Sequence, residues 1–205
     1  MIKSSGNFID KGTEVKSDRK RWDERYRAKE FALGKKPNPF LKRHLRSLAR
    51  GKALDLATGE GRNAVLLALH GFDVDAADIS EMGLRKARRL AGAMGVKINT
   101  LLADLDVYSI KKGEYDLIAD FYFLNRRLIP KIKRGLKKGG MVIFETYLLE
   151  QRELGVAGPR NPRYFLRPNE LLKLFNGFRI LFYREGIFRE GGRKKAVASL
   201  IAQKI

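Results

Sequence analysis

The chain contains no cysteine in 205 residues. That excludes disulfides, thiolate catalysis and a cysteine-based zinc ribbon. Histidine is scarce as well: His44 and His70 stand alone, too few for a histidine-rich metal centre. No apolar run approaches the about 18 residues that a membrane span needs. The N-terminal stretch MIKSSGNFIDKGTEVKSDRKRWDERY has charges but no apolar segment of the secretory kind. These absences predict a soluble cytoplasmic protein with no bound metal.

Lysine and arginine, by contrast, are in large excess. The formal net charge is +20 and the basic residues are scattered through KSDRKR, GKKP, KRHLR, RKARR, KIKRGLKK and GGRKK. Two readings stay open. The charge is an electrostatic footprint for nucleic acid, or it is a well-solvated surface of the kind found in heat-adapted proteins. Aromatic residues interleave thinly with the basic ones, and no nucleic-acid motif is present.

The length suits one globular domain with an appended arm. Residues 1–17 are polar and aperiodic, which predicts a disordered lead. Residues 18–50 read as a helical arm or lid. In SDRKRWDERYRAKEFA, Ser17 or Asp18 would cap a helix carrying Trp22 and Tyr26 on one face. KKPNPF breaks it, and Phe40, Leu41, Leu45 and Leu48 recur at helical spacing before Gly51. From 51 to 205 strands and helices alternate, the mark of an α/β domain with a parallel sheet and helices on both faces. Strands are expected at Ala53–Ala57, Asp73–Asp78, Lys97–Ala103, Asp116–Phe121 and Met141–Thr146. Helices are expected at Gly61–His70, Glu81–Met94 and Arg126–Leu136, the last ended by KKGG. LRPNELLKLF predicts a short helix. FRILFYREGIF and KKAVASLIAQK flank REGGR as a terminal hairpin, adding an antiparallel strand. The architecture implied is Rossmann-like.

Between the first strand and its helix lies Gly59-Glu60-Gly61-Arg62-Asn63-Ala64, a G-x-G-x-x-A turn with Asp78 nineteen residues beyond Gly59. Taken alone, the turn would suit a dinucleotide such as NAD. The acids argue otherwise. Asp55, Glu60, Asp78, Asp104, Asp120 and Glu145 all fall at or near carboxyl ends of the expected strands, where open α/β sheets bind ligands. They would repel a pyrophosphate. A guest bearing an ammonium and a sulfonium would gain about 1–4 kcal/mol from each close pairing. S-adenosylmethionine carries both cations and no phosphate.

On that reading Gly59 and Gly61, with Ala57, Thr58 and Arg62, shape the turn against the cofactor. Asp55 suits the methionine ammonium, and Asp78, followed by Ile79, suits the ribose hydroxyls. Asp104 and Leu105 suit the adenine. Asp120, Phe121 and Tyr122 wall the methionine end. Plainer roles stay open for several of them. Asp78 is also a helix N-terminal acid ahead of Ser80, Asp104 and Asp106 are turn acids, and Glu145 hydrogen-bonds a neighbouring loop. His70 reads as a helix-terminal residue.

These segments resemble the class I S-adenosylmethionine-dependent methyltransferases. LDLATGEGR is similar to their motif I, DVDAADIS to motif II, LLADL to motif III and KKGGMVIFETY to the post-strand-five segment. WDERY, NPF and GPRNPRYFLRPNEL narrow the resemblance to the branch with tellurite-resistance-type and thiopurine-type small-molecule enzymes. It covers about residues 20–205. The sequence departs from the family where Ala57 replaces the first glycine of motif I and where Asp120 stands at an often aliphatic position.

The resemblance implies a seven-stranded sheet and in-line transfer of a methyl group to N, O, S or C, with no obligatory base. Asp120, Glu145 and Tyr147 are the candidates should a base be used. The acceptor is expected to enter past Trp22, Tyr26 and Phe40, which form a lid or simply pin the arm. It would then pass Tyr122 and a loop with Arg160, Arg163 and Arg167, which clamps an anion or serves as a rigid connection. A small-molecule acceptor is favoured. RNA or protein methylation and an NAD-type binding domain are the alternatives.

Overall fold

Period-two apolar segments separated by amphipathic helices leave the chain one economical solution, a sheet covered on both faces. The computed structural model describes residues 11–156, 158, 159, 161–190 and 192–205. Its strands are β1 (Lys52–Leu56), β2 (Asp73–Asp78), β3 (Asn99–Leu102), β4 (Tyr115–Phe121), β5 (Leu136–Tyr147), β6 (Phe178–Glu190) and β7 (Arg193–Lys204). They form one sheet in the order β3-β2-β1-β4-β5-β7-β6. The first five strands pair in parallel, while β7 runs antiparallel to both its neighbours. The order reverses at β1–β4, so the loops after these two strands splay apart and open a crevice at their carboxyl ends.

The helices are α1 (Lys11–Arg27), α2 (Pro39–His44), α3 (Arg62–Leu69), α4 (Glu81–Ala93), α5 (Ile129–Gly135) and α6 (Glu170–Leu174). Two apolar clusters occupy the two faces of the sheet. One joins Leu54, Leu56, Ile118, Ile132, Phe144 and Phe175; the other joins Phe40, Leu41, Leu67, Val74, Leu117 and Ile143. Each such fully buried side chain contributes about 1.5–3 kcal/mol.

Several boundaries differ from the sequence reading. Helix α1 begins at Lys11, ahead of the cap expected at Ser17 or Asp18, so residues 11–17 belong to the arm. The remainder of the expected lead, residues 1–10, lies outside the described residues. Strand β3 is shorter than Lys97–Ala103. KKGG does not end a helix: α5 stops at Gly135, and the glycines lie inside β5, where the register slips between Tyr115/Leu136 and Leu117/Met141. Gly139, at φ 79, therefore serves a bulge rather than a helix cap. Tyr115 O and Asp116 O lie 3.0 and 3.3 Å from where a Cβ on Gly140 would sit, and that crowding explains the second glycine.

Candidate functional site

Strand β1 delivers the chain into a turn built entirely from left-handed or tight backbone. Ala57, Gly59 and Gly61 have φ of 51, 58 and 82. Thr58 N–H donates to Ala77 O at 3.0 Å and Gly61 N–H donates to Thr58 O at 3.0 Å, tying the turn to the end of β2. Ala57 accepts a left-handed conformation that costs an L-residue about 1–2 kcal/mol. Gly61 has no such latitude, because a Cβ there would lie 2.5 Å from Ala87 Cβ and 2.8 Å from its Cα. Gly61→Ala is expected to destabilise the fold by about 2–4 kcal/mol, lowering Tm by roughly 5–15 °C in a thermal melt.

Three acids converge on this turn; the charge of Arg62 reaches Asp55 without forming an ion pair. Asp55 is 1% exposed; its Oδ2 accepts the Thr58 hydroxyl at 2.5 Å. Burial pushes its carboxyl up to about 7, against the pull of the Thr58 hydroxyl and the Ala64 N–H. Asp120, on the adjoining strand opposite Leu56, is also 1% exposed. Its Oδ1 finds no hydrogen-bond partner among the described residues. Burial and the neighbouring Asp55 carry its carboxyl well above the usual carboxylate range, against one Phe123 N–H. Asp78, 6% exposed, accepts Gly59 N–H at 2.7 Å and Ser80 N–H at 2.9 Å, and burial raises its pKa too. None of the three has an ion-pair partner among the described residues. A buried acid is costly unless compensated, so the edge is complementary to a positively charged guest.

Two more acids of the expected set, Glu60 and Glu145, are already engaged by other side chains. Glu60 does not face the guest. It is buried against Lys86 at 2.8 Å and accepts Ala32 N–H and Leu33 N–H. Glu145 is spent as well: Oε1 accepts Asn38 Nδ2 at 2.9 Å and the Tyr122 hydroxyl at 2.8 Å. Its Oε2 accepts the Ser199 hydroxyl at 2.7 Å, with Arg184 3.6 Å away. Three hydrogen bonds and a nearby guanidinium thus engage the Glu145 carboxylate, which leaves it less lone-pair capacity as a base than Asp120 has. The Arg62 guanidinium donates to the carbonyls of Leu33 and Lys36, while its charge acts on Asp55.

These diversions reveal what the sequence did not, a set of latches that hold the arm over the turn. Asp23 accepts the Ser80 hydroxyl at 2.6 Å and Met82 N–H at 3.2 Å. Tyr26 lies buried beneath Trp22, with ring centroids 5.5 Å apart, and its hydroxyl would be 2.8 Å from a Cβ on Gly59. Burial and the nearby Asp78 and Glu60 keep that hydroxyl protonated. Asn38 caps α2 through Phe40 N–H and Leu41 N–H while its own N–H donates to Asn63. At KKPNPF the sequence shows only a helix break; the Asn38 cap and its reach to Glu145 come from the structure. Lys86→Ala would leave Glu60 buried without a counterion, so a loss of about 3–5 kcal/mol is expected. Limited proteolysis should then cut first within residues 28–37.

The remaining candidates sort by position. Phe40 is 0% exposed and packs on His44 and Phe182, so it is core and not part of a lid. Trp22 is half-buried between Arg21 and Arg25. Asp104 Oδ1 accepts Asp106 N–H at 3.0 Å, a turn role, while Ala103 N–H donates to Asp78 O and sets this loop beside the ribose candidate. Leu105 and Phe121 are buried, and Ile79 is half-buried. Tyr122, at φ 64, stacks on Tyr147 with centroids 4.7 Å apart. Arg163 lines a cavity whose walls include no residue of the glycine turn. Arg160 lies outside the described residues. Among those described, no cluster of metal-ligating side chains occurs and no helix is long and apolar enough to cross a membrane.

The chain is similar in sequence and in fold to known proteins. A probable S-adenosyl-L-methionine-dependent methyltransferase TehB of Haemophilus influenzae is 29% identical over 143 residues, covering 66% of this chain and 49% of that protein. The chain thus spans about half the length of the curated relatives it matches. In the solved structure of Haemophilus influenzae TehB, 91% of this chain superposes on 67% of that one with a TM-score of 0.71 at 21% identity. A protein solved in connection with converting a disulfide bond into a thioacetal group during echinomycin biosynthesis gives a TM-score of 0.70 at 19% identity, with 91% of each chain covered. At these identities the structural likenesses bear on the fold. The sequence-family comparison goes further: the family model for tellurite resistance protein TehB matches residues 22–190. A match over most of the chain, on a fold those neighbours share, places the protein in the TehB family.

Proposed function

We propose that this protein binds S-adenosylmethionine at the carboxyl edge of β1, β2 and β4 and methylates a small-molecule acceptor. The observation that carries the reading is the pair Asp55 and Asp120, two adjacent acids buried to 1% exposure, one with an orphaned oxygen. Protonation meets that cost in the empty site, and a cationic guest would meet it with the acids ionised. The donor set fits the cofactor: carboxylates for the cationic methionine end, a glycine turn open to close approach, and Asp78 for the ribose.

The bound cofactor supplies an electrophilic methyl group on sulfonium. Asp55 and Asp120 would hold its cationic methionine end, and any proton the acceptor gives up would pass to water or to the Asp120 carboxylate. The chain's own residues align and exclude water. Tyr26 and Trp22 cover the glycine turn, and the stacked Tyr122–Tyr147 pair forms an aromatic wall beside Asp120's strand end. Asp120 is the one base candidate with a lone pair not already engaged. Tyr147 acts as wall, its ring taken up by Tyr122.

Differential scanning fluorimetry tests the reading. S-adenosylmethionine and S-adenosylhomocysteine are expected to raise Tm by several degrees at ligand concentrations about 100 times Kd, while NAD leaves it unchanged. Stabilisation by NAD alone would overturn it. Mass spectrometry of ligand carried through purification provides a second readout.

A further inference from the structure

Tyr26 brings to the glycine turn a hydroxyl that no other residue engages. The side chain is 3% exposed and wedged between two glycines. A Cβ on Gly59 would sit 2.8 Å from the hydroxyl oxygen, and one on Gly83 would sit 3.1 Å from Tyr26 Cδ2 and 2.9 Å from Gly59 O. Glycine weakens a helix, and the seat of this ring accounts for one in the first turn of α4. Latches on both sides keep the ring there. Asp23 holds Ser80 and Met82 N–H, and Glu60 holds the N–H groups of Ala32 and Leu33. Phenylalanine would serve that packing equally well. The hydroxyl makes no hydrogen bond among the described residues, so the closed arm bears its desolvation uncompensated.

The charges around it indicate the partner it lacks. Burial, then Asp78 and Glu60, keep the proton on the hydroxyl, which makes it a donor, while Arg25 and Arg62 pull the other way. Arg62 and Asp78 also act on Asp55, so the hydroxyl belongs to the same stretch of the edge as the acid assigned to the methionine ammonium. In S-adenosylmethionine the carbon that bears this ammonium also bears a carboxylate. Ionised Asp55 and Asp120 repel that group, and its donor must come from another wall. We propose that the Tyr26 hydroxyl donates to the cofactor's carboxylate, with the charges of Arg25 and Arg62 favouring an anion there. The assignment rests on the S-adenosylmethionine reading. It makes the arm a part of the cofactor site rather than a gate for the acceptor. Arm and cofactor then stabilise one another, since the arm supplies the donor and the carboxylate satisfies it.

Isothermal titration of the wild type and Tyr26→Phe with S-adenosylmethionine and with its decarboxylated form tests this, beside a ligand-free melt. The variant keeps the ring, so its ligand-free Tm is expected to stay the same or rise. It should bind S-adenosylmethionine about tenfold more weakly. The decarboxylated form retains both cations and the ribose, and its affinity should differ by no more than about twofold between the two proteins. Hydrogen exchange in residues 18–37 should slow when S-adenosylmethionine binds the wild type, and slow less in the variant. An equal loss for both ligands would move the hydroxyl to the ribose and overturn the proposal. No loss for S-adenosylmethionine would overturn it too, with the cofactor reading left standing. Failure of the wild type to bind either ligand would overturn that reading and the assignment together.

Discussion

Asp78→Ala is expected to weaken S-adenosylmethionine binding by about 100-fold or more, the largest effect of any single substitution in the site. The carboxylate does two jobs. It accepts Gly59 N–H and Ser80 N–H, which fixes the glycine turn and the entry to α4. On the proposed reading it also accepts the ribose hydroxyls. Hydrogen bonds to a charged group are worth about 1.5–3 kcal/mol each, and the loss of two gives the stated factor. Alanine also leaves two buried N–H groups unmet, so Tm should fall without ligand. Asp78→Asn separates the two jobs. It retains an acceptor for one N–H and should keep much of the Tm while still losing most of the affinity. Isothermal titration beside a thermal melt reads both.

The second large effect concerns pH. The groups facing Asp55 are the Thr58 hydroxyl, the Ala64 N–H, Arg62 and Asp78; those facing Asp120 are the Phe123 N–H and Asp55. Burial raises both carboxyls above their unfolded values. A raised acid holds its proton in the folded state, so its contribution to stability is fully present below the unfolded pKa. It is then lost as pH rises through the folded value, about 7 for Asp55. Without ligand, the protein should therefore lose stability across pH 4–7 from Asp55, with Asp120 acting in the same direction. A cationic guest reverses the preference, and affinity should climb with pH by up to about tenfold per unit for each proton displaced, flattening above the titration. Asp120→Asn mimics the protonated acid. It should leave ligand-free Tm unchanged or higher, reduce affinity about 10–100-fold, and make the pH profile shallower.

Much of this was legible before any coordinates. The glycine turn, Asp55, Asp78 and the parallel strands follow from period-two burial and local backbone chemistry, which sequence spacing carries directly. What failed to show was which acids were already neutralised. Glu60 finds Lys86 one helix away, and Glu145 finds Asn38, Tyr122 and Ser199 from three distant segments. A carboxylate at a strand end looks the same in sequence whether paired or not. The acid-lined edge thus narrows from six residues to the unpaired Asp55, Asp78 and Asp120, with Asp104 at its margin. The KKGG segment misled for a related reason: left-handed glycine caps helices and shapes bulges alike, and only strand pairing decides between them. Phe40 looked like lid because arms often close over ligands, yet Phe182 from the terminal hairpin covers it completely.

The account depends on buried acids that shed protons to receive a cation, and calorimetry reads that exchange directly. Titrating S-adenosylmethionine at pH 6.5 in two buffers of different ionisation enthalpy should show release of about one proton or more per site, reduced in Asp120→Asn. Identical heats in both buffers, or net proton uptake, would contradict it.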